Sequence, residues 1–129
     1  MSGWIGVDLD GTLAEYGGWK GPGHIGAPIA AMVNRVKRWV SEGREVRIFT
    51  ARVDGGGVAL SMGDPNGEQC RDVDNVRAHI EAWCKEHIGV VLPITNVKDY
   101  GMIALWDDRA VHVKTNTGEP CCGGTRGLE

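Results

Sequence analysis

Short apolar runs that read as strands alternate in this chain with amphipathic runs that read as helices, and this alternation restricts the fold more than any other feature. Trp4-Ile5-Gly6-Val7 leads to Leu9 as a short buried strand. Gly26-Ala27-Pro28 then opens a helix, since proline suits the first turn. Its apolar positions Ile29, Met32, Val33, Val36, Trp39 and Val40 recur every three or four residues, and Gly43 stops it. Glu45 to Thr50 is β-branched and aromatic, as a second strand should be. A second helix sets Val73, Val76, Ile80, Trp83 and Cys84 on one face. Further strands are expected at Val90 to Ile94, Met102 to Trp106 and Val111 to Lys114. Strands separated by helices pair in parallel through right-handed crossovers, so the expected class is α/β with a mainly parallel five-stranded sheet.

A length of 129 residues fits one domain, which can bury about two-thirds of its unfolded surface. The core is expected over 1–114, followed by a Gly- and Pro-rich tail over 115–129. The net charge of −3 offers no long-range attraction to nucleic acid or an anionic membrane. No apolar run approaches the ~20 residues of a membrane span, and no signal-peptide layout opens the chain. Cys70, Cys84, Cys121 and Cys122 follow neither disulfide-framework nor zinc-site spacing. Reduced thiols in a cytoplasmic protein are the expectation, with oxidation or soft-metal binding at Cys121-Cys122 as the alternative. His24, His79, His87 and His112 show no metal-ligand spacing.

In parallel α/β sheets, ligands bind beyond the carboxyl ends of the strands. Asp8 and Asp10 end the first strand, Thr50 ends the second, Lys98 follows the third, and Asp107 and Asp108 end the fourth. Carboxylates gathered at one edge repel one another, which favours a bound divalent cation, while an ammonium and a hydroxyl suit phosphate oxygens.

Asp8-Leu9-Asp10-Gly11-Thr12-Leu13 resembles the first motif of the haloacid dehalogenase superfamily. Thr50 after Val46-Arg47-Ile48-Phe49 is similar to the second, Lys98 to the third, and Leu105-Trp106-Asp107-Asp108 to the paired-acid fourth. The order and strand context agree over about residues 4 to 113. The resemblance implies a Rossmann-like sheet in the order 5-4-1-2-3 and a phosphomonoester hydrolase working through an aspartyl-phosphate on Asp8. Asp10 would be the general acid and base. Thr50, Ala51, Arg52 and Lys98 would hold the substrate phosphate. Mg2+ would be bound by Asp8, the Asp10 carbonyl and Asp107. For Asp108 three roles stay open: direct ligand, water-mediated ligand, or orienter of Lys98.

Arg52 either touches substrate phosphate or pairs with an acid, and Trp19 either lines the pocket mouth or packs on the core. Arg109 reads as structural. Gly55-Gly56-Gly57 lacks the lysine and the strand-to-helix setting of a phosphate-binding loop. Members of the superfamily differ in cap domains inserted after the first motif or between the second and third. Here those gaps hold about 15 and about 20 residues, too few for an independent core, so a capless enzyme is expected. An open site implies a bulky substrate, a lid made by residues 52–71, or closure by another subunit in a homo-oligomer. The substrate is then a phosphorylated small molecule or a nucleic-acid end. The latter follows from a looser resemblance to the phosphatase domain of polynucleotide kinase-phosphatases. A non-hydrolytic receiver-like phosphoacceptor domain is the alternative from another class, disfavoured because Asp10 supplies a proton-transferring acid two residues after Asp8.

Overall fold

In the computed structural model of the protein, the residues described are 3–21, 23–53 and 73–121. Strand β1 (Trp4–Asp8) is followed by helix α1 (Ala30–Ser41), strand β2 (Glu45–Phe49), a 3-10 turn (Ala51–Val53), helix α2 (Val73–His87), and strands β3 (Ile94–Thr95) and β4 (Met102–Trp106). The strands form one parallel sheet in the order β3-β2-β1-β4. The chain is therefore α/β, as expected. No described helix is long and apolar enough to cross a membrane.

β1 lies in the middle of the sheet, and Trp4, Ile5, Gly6 and Val7 are all buried. A strand covered on both faces is apolar at successive positions rather than alternating. The core joins Ile5 and Val7 to Met32, Val36 and Trp39 of α1 and to Val76, Ile80, Trp83 and Cys84 of α2. Burial pushes the Cys84 thiol up to about 11, so it packs as an inert apolar group. α1 ends as its sequence predicts: Gly43 has φ +83°, its N–H reaches Val40 O at 3.0 Å, and Arg44 N–H reaches Trp39 O at 3.0 Å. This paired arrangement satisfies the last free carbonyls of the helix.

Three expectations need correction. Pro28 precedes α1 rather than occupying its first turn, because its neighbours are committed elsewhere. Ile29 N–H donates to Leu13 O at 2.9 Å and Ala27 O accepts from Glu15 N–H at 2.8 Å. The strand expected over 90–94 shrinks to Ile94–Thr95, with Val90 and Val91 exposed. Pro93 has no N–H to give and serves the edge only through its carbonyl, which accepts from Ile48 at 2.8 Å.

The fifth strand is absent among the described residues, where the sheet has four. Val113 instead bridges Pro120 in antiparallel fashion, with Lys114 N–H on Glu119 O at 2.9 Å and Cys121 N–H on His112 O at 2.6 Å. Only residues 107–110 separate β4 from this segment, whereas a parallel neighbour needs a crossover of about a dozen residues or more. A tight reversal at Asn116, with φ 67°, is the connection this length permits. The expected lid segment falls largely on 54–72, and Cys70 and Cys122 also lie outside the described residues.

Candidate active site

Parallel strands deliver their last residues to one edge, and a cavity of about 220 Å³ opens there. Asp8, Asp10, Phe49, Thr50, Ala51, Arg52, Asp107 and Asp108 line it from the strand ends. The turn after β1 fixes the first two. Leu9, Leu13 and Ala14 are fully buried beneath it, and Leu9 O accepts from Leu13 N–H at 3.0 Å and Ala14 N–H at 2.8 Å. Gly11 carries the reversal at φ +89°, and a Cβ there would stand 2.5 Å from Asp108 Oδ2. Only glycine meets both demands. Thr12 links the two acidic segments: its Oγ1 accepts the Asp108 N–H at 3.0 Å and lies 3.5 Å from Asp8 Oδ2.

One carboxylate oxygen from each of Asp8, Asp107 and Asp108 lies within 4.8 Å of the others. Edges of an octahedral magnesium shell measure roughly 3 Å, so small side-chain rotations would bring these oxygens onto one cation. The electrostatics agree with that need. Burial first, then the Asp107 carboxylate, pushes the Asp8 carboxyl from 3.8 up to about 8, with Asp108 and Asp10 adding to it. The Asp107 carboxylate also accepts the Arg109 N–H at 2.8 Å, which holds the turn after β4.

Across the cavity, Arg52 is 5% exposed and grips Asp10 with its planar fork: Nε on Oδ2 at 2.7 Å and Nη2 on Oδ1 at 2.8 Å. Nη2 also donates to the His24 carbonyl at 2.9 Å. Of the two roles open for Arg52, pairing with an acid is the one seen. Two short charge-assisted bonds in a planar fork fix the Asp10 carboxylate in place. Thr50 is buried and lines the cavity, and its Oγ1 accepts the Arg52 N–H at 3.2 Å. Trp19 lines the mouth, with the Arg52 guanidinium 4.9 Å from its ring centroid.

Lys98 is not brought to the cavity. It is exposed, beside Asp99, whose Oδ1 accepts the indole N–H of Trp4 at 2.7 Å at the opposite end of β1. After β3 the chain must return to that far edge so that β4 can start beside Trp4, and Lys98 travels with it. Conversely, Arg109 and Tyr16 line the cavity, although Arg109 reads as structural from the sequence and Tyr16 carries no motif. Their positions at one and three residues beyond the turns of the acidic motifs were the available signal.

Compared with known proteins, the chain significantly matches no family model, no curated protein and no solved structure.

Proposed function

We propose that this chain is a magnesium-dependent phosphomonoester hydrolase whose nucleophile is Asp8. The observation that carries this reading is the convergence of Asp8, Asp107 and Asp108 at cation-holding distances, in one cavity with Thr50 and the Arg52–Asp10 pair. Bound there, a magnesium ion would lower the charge repulsion between carboxylates and phosphate and would keep Asp8 ionised at neutral pH.

The remaining chemistry belongs to the side chains. An Asp8 oxygen attacks phosphorus, the bond from phosphorus to the ester oxygen breaks, and the departing alkoxide takes a proton from Asp10. Asp10 then removes a proton from water, whose oxygen attacks the phosphorus of the aspartyl-phosphate and regenerates the Asp8 carboxylate as inorganic phosphate leaves. The Arg52 fork suits the second half, where Asp10 is a base. In the first half a substrate phosphate dianion competes for the guanidinium, and the exchange frees Asp10 to carry the proton. The Thr50 hydroxyl donates to a phosphate oxygen.

Turnover of an aryl phosphate, with and without Mg2+, tests the reading in wild type, Asp8→Asn and Asp10→Asn. Metal-dependent hydrolysis lost in Asp8→Asn is the expected result. Absence of activity on aryl, sugar and nucleoside phosphates and on 3′-phosphorylated oligonucleotides would sink it. A phosphoprotein stable for minutes would point instead to a receiver-like phosphoacceptor.

A further inference from the structure

The loop between β1 and α1 is rich in glycine, yet the structure ties it down at both ends and near its middle. Glu15 N–H bonds Ala27 O at 2.8 Å, and Ala14 bridges Pro28 beside it. Gly26 passes so close to Glu15 that a Cβ there would strike the Glu15 carbonyl. The Gly26 carbonyl accepts the indole N–H of buried Trp83 at 3.0 Å, and the His24 carbonyl accepts from Arg52. From this anchored loop, Tyr16 and Trp19 reach the cavity, which Phe49 at the end of β2 also lines.

Three of the eleven lining residues are aromatic in a chain that is only 6% aromatic, an excess that the chemistry at phosphorus does not require. Phosphate oxygens call for N–H, O–H and cations; ring faces recognise other rings and apolar surface. Tyr16, Trp19 and Phe49 are therefore suited to the alcohol part of an ester rather than to its phosphate. We propose that the preferred substrates are phosphomonoesters whose alcohol part carries a planar aromatic ring, held at the mouth by Tyr16 and Trp19. The proposal rests on the hydrolase reading for its phosphate headgroup. Holding the loop in place before binding removes much of the ordering cost that exposed side chains would otherwise add. Arg52, set against the Trp19 ring, fixes that ring at the boundary between the acidic floor and the mouth.

Two ligands of equal charge, reach and size separate aromatic recognition from simple apolar burial: 3-phenylpropylphosphonate and 3-cyclohexylpropylphosphonate. Neither is hydrolysable, so calorimetric titration in Mg2+ reads binding apart from turnover. The phenyl ligand is expected to bind about fivefold more tightly, the range that ring–ring contacts add beyond buried area. The corresponding phosphate esters, whose leaving alcohols match in acidity, should show the same preference in kcat/KM, carried by KM. Tyr16→Leu and Trp19→Leu should each move both ratios toward one; exposed Tyr16 is the position where the fold is least at stake. Equal affinities for the two phosphonates, failure of both to bind, or an unchanged ratio in both variants would overturn the inference. A phenyl preference in binding without hydrolysis of any phosphate would instead defeat the hydrolase reading and leave the aromatic site standing.

Discussion

Asp10 and Gly11 are adjacent, yet neighbours distant in sequence hold them by different physics. Asp10 is 42 residues from Arg52 but shares two short charge-assisted bonds with it. Arg52→Met would strand a half-buried carboxylate, at a cost of about 3 kcal/mol in stability. It should also lower kcat/KM by about a hundredfold, since Asp10 and substrate phosphate both lose their cation. Arg52→Lys keeps the charge without the fork, so its kcat/KM should fall between wild type and the methionine variant. Equal losses in both variants would show that charge is irrelevant and that only the fork matters. Gly11→Ala faces the positive φ and a collision with Asp108 together. The alternative residue would displace Asp108 or the turn, so activity should fall more than tenfold with a thermal shift of only a few degrees. A variant with full activity would show that Asp108 moves without consequence.

At the level of elements, α1 was legible from its residues because one mechanism dominates there: spaced apolar side chains cover the sheet, and a glycine ends the run. Gly43→Ala tests this stop. Its φ of +83° is strained for alanine, but nothing lies within 4 Å, so the expected cost is about 1 kcal/mol by chemical denaturation. Gly26→Ala should cost more than that, because the obstruction there is the Glu15 backbone rather than a torsional preference; a smaller loss would mean that the loop relaxes freely. The short extent of β3 and the absence of a fifth strand among the described residues were not legible. Val90-Val91 has the composition of a strand, but composition does not say whether an edge has a partner, and Pro93 limits what that edge can donate. Val111 to Lys114 likewise looks strand-like, and connection length decides that it folds back on Pro120. Lys98 follows the same logic: its closeness to β3 in sequence hid the return path that carries it away from the cavity. The acidic residues were easier to place, since each ends a strand or begins the turn after it.

Across the whole molecule, a parallel sheet sends its strand ends to one side, and here that topology concentrates negative charge that no single segment would tolerate. Asp8 bears the result, because burial and Asp107 raise its carboxyl from 3.8 to about 8. The sign of the consequence follows from proton counting. Between those two values the folded chain keeps a proton that the unfolded chain has released, so folded stability falls as pH rises through this window. The contribution is intact below pH 3.8 and is lost once pH has passed about 8. A divalent cation between Asp8, Asp107 and Asp108 reverses the balance, since it binds the ionised form and displaces the proton. Thermal unfolding in a chelator should therefore show a melting temperature that declines between pH 5 and pH 8.5, with a shallower decline in Asp8→Asn. Saturating Mg2+ should raise the melting temperature of the wild type by several degrees at pH 8 and by much less at pH 5.5, where the proton competes for Asp8. In Asp8→Asn the pH dependence of the Mg2+ effect should largely vanish. Parallel pH profiles for wild type and Asp8→Asn, with Mg2+ acting equally at both pH values, would mean that the strand-end carboxylates neither share a cation nor hold Asp8 protonated.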